Sequence, residues 1–190
     1  MTVVVVEADA ARARLIIDGL REAGDVDVRV IAERTTLARR IADAAPDLVL
    51  IDMADPSRDA LEELALASGP MERPVAMFVD RSDDQLTRAA IEAGVSAYVV
   101  AGLTPERIRP ILDAATARFQ MIQRLRAELD AAKRALEERK TIDRAKGLLM
   151  KARGLSEEEA YALLRKTAMD QGERVAEVAR ALVTAARLLS

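Results

Sequence analysis

The sequence predicts an α/β protein: a doubly wound, five-stranded parallel sheet, followed by a long coiled-coil helix and a small all-α module of three helices. Three observations carry this. Short strand-like runs alternate with helical patterns five times in the first 113 residues. Ala115, Ile122, Leu129 and Leu136 then recur every seven residues. Further on, Gly154 and Gly172 punctuate three helical stretches. The expected divisions are residues 1–113, 114–138 and 139–190.

Each element has its own signal. "TVVVVE" is a short β-branched run, and the helical pattern after it passes through Leu15, Ile16 and Leu20 to stop near Gly24. "VDVRVI" alternates as a strand does, and the next helix runs to Ala44 and breaks at Pro46. "DLVLID" is continuously apolar and leads into a helix around residues 61–66. "PVAMFVD" follows Pro74 and precedes a helix over residues 83–93 that ends at Gly94. "SAYVV" is the fifth strand, after which Thr104 caps a helix with Pro105 at its first position. Strands alternating with helices at this spacing form a parallel sheet.

Composition narrows the function. Of 190 residues, 51% are hydrophobic and 32% charged, the balance of a folded chain. There is no cysteine, which removes disulfides and thiolate chemistry and suits a reducing compartment. There is no histidine either. Together these absences remove most zinc sites, the Ser-His and Cys-His nucleophile pairs and the commonest general base, so neither catalysis nor a cofactor is expected. "MTVVVVEADA" has no basic leader and an acid at Glu7, unlike a signal peptide or a membrane span. A soluble cytoplasmic protein without membrane contact is expected.

The net charge of −3 conceals an asymmetry. Residues 1–110 hold 13 basic and 20 acidic side chains, a net of −7, whereas residues 111–190 hold 16 and 12, a net of +4. All five lysines lie after residue 132. The pattern fits an acidic module joined to one that meets an anionic partner, or simply well-solvated helical faces.

In a doubly wound sheet, ligands sit beyond the carboxyl ends of the strands. Glu7 and Asp9 lie just past the first strand and Asp52 ends the third, so three carboxylates are expected to converge as an acidic pocket. That arrangement suits a weakly held Mg²⁺ and an aspartyl phosphate on Asp52. The alternative, for Asp9 above all, is a solvated loop-end acid. Residues 1–113 resemble a two-component receiver domain, with Asp52 of "LVLIDM" at its phosphoacceptor position. The departures matter more than the match. Receivers usually carry two adjacent acids after the first strand, where this chain has Glu7, Ala8 and Asp9 in a row. They carry a hydroxyl after the fourth strand, here Val79 of "MFVD", and a lysine after the fifth, here Ala101 of "YVVAG". No realignment restores the lysine, since none precedes Lys133. That lysine helps neutralise phosphoryl oxygens, and the hydroxyl reads the phosphate. A degenerate receiver serving as a protein-binding module is expected; a phosphorylation-activated regulator acting through Asp52 is the alternative.

From Pro105 nothing breaks the helix before Gly147 or Gly154, apart from a candidate kink at Pro110. The heptad stripe there predicts a homodimer seam of Ala115, Ile122, Leu125, Leu129 and Leu136. The competing reading is a helix packed on its own N-terminal domain. Beyond it, Ser156 and Glu159 form a capping box. A module of about 50 residues buries only a thin core, which again favours a dimer.

On a helical wheel, Ile142, Ala145, Leu148, Leu149 and Ala152 share the apolar side of "DRAKGLLMKARG". Arg139, Lys146 and Arg153 form one basic stripe, Lys140, Arg144 and Lys151 a second, and Gly147 lies between them. A mid-helix glycine costs about 1 kcal/mol relative to alanine. Close approach of a phosphate or base would justify it; so would tight packing against another helix. Tyr161, the only aromatic after Phe119, is placed in the core, leaving no stacking platform. Basic helices still suit an RNA backbone with splayed loop bases.

Residues 142–183 resemble an ANTAR domain, the RNA-binding output module of transcription antiterminators, through "AKGLLM", "RGLSEEEAYALLRKTAMD" and "RVAEVA". With "DMADPSRD" and "MFVDRSDD" added, the whole chain is similar to the NasT-type regulators of nitrate assimilation. The resemblance implies binding to tandem hairpins in a leader transcript, which keeps a terminator from forming. It also implies a ligand-sensing partner of the nitrate-sensor type that holds the regulator inactive until nitrate or nitrite appears. The expected RNA contacts are Lys146, Arg153, Arg165 and Arg174, with Arg144, Lys151 and Lys166 next. A coiled-coil interaction scaffold without RNA affinity is the remaining alternative.

Overall fold

The computed structural model describes residues 1–22, 24, 26–33, 35–101 and 104–188; Leu103 and Leu189, at the ends of segments read as helical, lie outside them. The described chain forms β1 (Thr2–Val6), α1 (Ala10–Glu22), β2 (Asp27–Ile31), α2 (Leu37–Ala44), β3 (Leu48–Met53), α3 (Arg58–Ala67), β4 (Val75–Val79), α4 (Asp84–Glu92) and β5 (Ala97–Val100). Three helices follow: α5 (Pro105–Arg153), α6 (Glu157–Gln171) and α7 (Val175–Leu188). They divide into two compact units, Met1–Gln123 and Arg124–Ser190, so the boundary falls within α5 and later than the expected one at residue 113.

In the first unit all strand pairs are parallel, in the order β2-β1-β3-β4-β5. Alternate side chains leave opposite faces of a strand. Val3, Val5, Leu48 and Leu50 therefore pack with Ile16 and Leu20 of α1 and with Ile108, Leu112 and Ala115 of α5. Val4, Val6, Val49 and Ile51 pack on the other face beneath α2, α3 and α4. Burial on both faces is why β1, β3 and β4 read as unbroken apolar runs.

Ala115 is fully buried in this core, which corrects its assignment to the dimer seam. The seven-residue spacing that links Ala115 to Ile122 also links it to Ile108, and a helical stripe has the same period whichever surface covers it. Pro110 sits inside α5 without ending it. Further along the helix, Leu125, Leu129 and Leu136 are more than half exposed (57, 54 and 53%), an uncovered apolar line in the single chain.

The second unit has a thin core: Ala145, Leu164, Ala168, Val178 and Ala179, with Ile142, Leu149, Val175, Leu182 and Val183 half-buried around them. The capping box forms as expected, with the Ser156 side chain accepting from the Glu159 amide at 3.2 Å and Glu159 accepting from the Ser156 amide at 2.8 Å. Tyr161 is exposed and not in the core. The buried line of α6 is Ala160, Leu164 and Ala168, and Tyr161 stands one residue, or about 100°, off that line.

Two glycines make opposite predictions. A Cβ on Gly19 would meet Ile108 Cδ1 at 2.8 Å and Pro105 Cα at 3.0 Å, so the close packing of α1 on α5 requires glycine. Gly19→Ala is expected to destabilise the fold by about 1–3 kcal/mol in urea unfolding, despite alanine's better helix propensity. A Cβ on Gly147 would meet nothing within 4 Å, so Gly147→Ala should stabilise by about 1 kcal/mol in the same measurement.

Candidate functional site

The carboxyl ends of β1 and β3 bring Glu7 and Asp52 together, both buried, beneath a cavity of about 330 Å³. Asp9 does not join them. Its Oδ1 accepts from the amides of Ala11 (2.9 Å) and Arg12 (2.8 Å), so it caps the start of α1. The third acid is instead Asp80, just beyond β4.

The guanidinium of Arg12 fills the space among these acids. Its Nε donates to Asp52 Oδ2 at 2.7 Å and its Nη2 to Asp52 Oδ1 at 2.8 Å. Toward Asp80, Nη1 donates to Oδ2 at 2.8 Å and Nη2 to Oδ1 at 3.1 Å. Glu7 Oε2 lies 3.6 Å from Nε. A planar fork serving two carboxylates at once is what arginine, and not lysine, can supply.

These contacts set the charge states. Hydrogen bonds from Arg12 hold the Asp80 carboxyl below its ordinary range, and the carboxylates hold the Arg12 proton more tightly still. Burial pushes Glu7 upward, the bond from the Asp9 amide opposes that, and neighbouring Asp52 adds to the rise.

The expected acidic pocket of Glu7, Asp9 and Asp52 is thus corrected to Glu7, Asp52 and Asp80 around an arginine. Among the described residues no group of three acidic side chains is placed to hold a metal ion. The residues do not fit the weakly held Mg²⁺ that the sequence admitted as an alternative to no metal at all. Val79 is buried and offers no hydroxyl, and Ala101 follows β5 with a positive φ of 45° and no cation. Ser82 is held by Tyr98 Oη at 2.8 Å and approaches Thr87 Oγ1 at 3.3 Å. Arg12 and Asp80 were missed in the sequence because their partners lie 40 and 68 positions away, beyond any local pattern. The available signals were a basic residue one turn past Glu7 and the acid that ends "MFVD".

The second candidate region is basic. The Lys146 side chain is only 15% exposed and lies 2.7 Å from both Asp143 and Glu157, tying α5 to the start of α6. These carboxylates push Lys146 upward, and Lys146 in turn holds Asp143 down. Arg174 donates to Glu138 at 3.0 Å while staying exposed. Lys140 pairs with Glu137 at 2.8 Å.

Arg144, Lys151, Arg153, Arg165 and Lys166 are exposed, and among the described residues none of them is ion-paired. Arg144, Gly147 and Leu148 of α5 face Val183, Ala186 and Arg187 of α7 across a cleft of about 370 Å³. Open space at Gly147 removes the tight-packing explanation within the chain. On α6, Arg165 and Lys166 share a shallow surface hollow with Tyr161 and Met169.

Residues 130–183 match the ANTAR domain family. The chain carries an ANTAR domain. This domain begins inside α5, earlier than the expected residue 139, and ends within α7. The chain is 33% identical to the transcriptional regulatory protein PdtaR of Mycobacterium tuberculosis over 136 residues, 70% of this chain and 66% of that protein. The aligned part thus spans just under two thirds of PdtaR. A stretch of 63 residues is 51% identical to the nitrate regulatory protein of Klebsiella oxytoca, covering 33% of this chain and 16% of that protein.

Solved structures share the fold of part of the chain. The receiver domain protein of Methanospirillum hungatei superposes with a TM-score of 0.54 at 18% identity, over 63% of this chain and 96% of its own. The receiver domain of a diguanylate cyclase from Desulfovibrio desulfuricans gives 0.51 at 18%, again over 63% and 96%. The architecture is a receiver-like domain followed by an ANTAR domain, and these relatives are regulatory proteins. Among the described residues no helix is long and apolar enough to cross a membrane.

The acid pocket predicts a pH dependence. A carboxyl whose folded pKa is raised contributes stability below its unfolded value, 4.5 for Glu7, and loses it as pH climbs through the folded one. Glu7→Gln keeps an acceptor for the Asp9 amide and carries no charge. It should add about 1 kcal/mol of unfolding free energy at pH 7, and that gain should vanish on acidification, as read by urea unfolding across pH. Asp80 runs the other way: its stabilisation is present above 3.8 and lost as pH falls through its depressed folded value.

Proposed function

We propose that the chain is an RNA-binding transcription antiterminator that grips tandem hairpins in a leader transcript and keeps a terminator from forming. The ANTAR match over residues 130–183 carries this reading. The exposed, unpaired cations Arg144, Lys151, Arg153, Arg165 and Lys166 support it, because such groups are the usual partners of phosphate oxygens. Lys146 and Arg174 reach RNA only by giving up carboxylate partners, so they rank behind the other five. The bare backbone at Gly147 lets a phosphate or base come close.

In this reading two copies pair through Ile122, Leu125, Leu129 and Leu136, presenting two ANTAR domains to two hairpins with the gain that linked binding brings. The stretch that is 51% identical to a nitrate regulatory protein supports genes of nitrate or nitrite assimilation as the target. A ligand-sensing partner that engages the receiver-like domain holds the protein inactive. An Asp52 phosphoswitch has less support, because Arg12 already occupies both Asp52 oxygens.

The test is binding of the purified protein to a two-hairpin leader RNA, with single-hairpin and scrambled RNAs alongside, at near-physiological salt. Tight binding that requires both hairpins is expected; equal weak binding to all three would sink the reading. The triple variant Arg144→Ala, Lys151→Ala, Arg153→Ala should bind more weakly, with a log–log salt slope shallower by roughly two. Leu129→Lys should convert a dimer to a monomer in sedimentation and remove the advantage of the tandem target. Gly147→Ala should weaken RNA binding while stabilising the fold.

A further inference from the structure

We propose that Arg12 is a resident cation that takes the place of a divalent metal in the receiver-like domain, closing Asp52 to metal ions and to phosphoryl transfer. Four charge-assisted hydrogen bonds hold its guanidinium, two to each of Asp52 and Asp80. Both oxygens of Asp52 are used, and its side chain has no solvent exposure, so an incoming group has to displace these bonds. An arginine does not deprotonate in a protein, so raising the pH does not remove the plug.

The surroundings hold Arg12 in place. The Arg12 amide donates to Asp9 Oδ1 at 2.8 Å, so the acid assigned to the pocket from the sequence serves instead to position the arginine at the first turn of α1. Across the pocket, the Asp80 amide donates to Ala54 O at 3.1 Å and Met53 O at 3.3 Å, which fixes the acid that receives the other half of the fork. One side chain thereby joins α1, β3 and the segment after β4.

Removing the guanidinium leaves Glu7 and Asp52 adjacent at the strand ends. One or two carboxylates completed by water are enough for an ion of the Mg²⁺ type. The probe is Mn²⁺, titrated into the full-length protein while the electron paramagnetic resonance signal of the free ion is recorded. The wild-type chain is expected to leave that signal as its Asp52→Asn variant does. Arg12→Gln should take up about one ion per chain, at least about tenfold more tightly than wild type, and lose it when Asp52→Asn is added. Circular dichroism identifies folded variants. If Arg12→Gln does not fold, Arg12→Ala serves, because it too removes the cation and should admit the ion. Mn²⁺ uptake by wild type that depends on Asp52 would overturn the proposal, as would a folded Arg12 variant that gains no uptake. RNA binding enters none of these readouts, so this proposal stands or falls separately from the antiterminator reading.

Discussion

A parallel sheet covered on both faces leaves its polar chemistry nowhere to go but the ends of the strands. In β1, β3 and β4 almost every side chain is buried, so the first groups able to meet solvent or a ligand are those where these strands stop. Glu7, Asp52 and Asp80 stand there. Three acids at the edge of an apolar layer repel one another and are penalised by burial, and something positive has to sit among them. Arg12 satisfies that requirement from within the chain. The placement of Asp52 and Asp80 around one fork follows from it, while burial raises the Glu7 pKa and Arg12 offsets part of that rise.

Helix α5 answers to three different environments along one continuous run. Up to Ala115 its apolar stripe is spent on the sheet, through Ile108 and Leu112. From Leu125 to Leu136 the same period continues with nothing over it in the single chain. Past Ile142 the stripe turns to α6 and α7. A heptad pattern says only that one side of a helix is apolar, and here the sheet, solvent and the helices α6 and α7 meet that side in turn.

That explains which features were legible in advance. The five strands, their order of appearance and the helices between them follow from local periodicity and from Gly and Pro breaks, because each signal is complete within a dozen residues or so. The capping box at Ser156 and Glu159 is likewise local and forms as read. Ala115 and Tyr161 went astray where the pattern fixed a period but not its phase relative to a partner. Arg12 and Asp80 were invisible for a different reason: their relation to Asp52 exists only after β1, β3 and β4 have aligned. Lys146 read as an outward cation because Glu157, the second of its two acids, lies across a helix break that the wheel does not cross.

The alanines in the core of the second unit have a consequence of their own. Alanine has almost no side-chain freedom to lose on burial, and it also gains little from leaving water. Ala145, Ala160, Ala168 and Ala179 therefore let three helices sit close while adding only modest cohesion. Much of the unit's remaining apolar surface is the leucine line on α5, which a single chain leaves in water. In the proposed dimer a second copy would cover that line, and assembly and consolidation of the fold would become one event. The tolerance of this unit to heat or denaturant then rises with the abundance of the chain itself, as mass action requires.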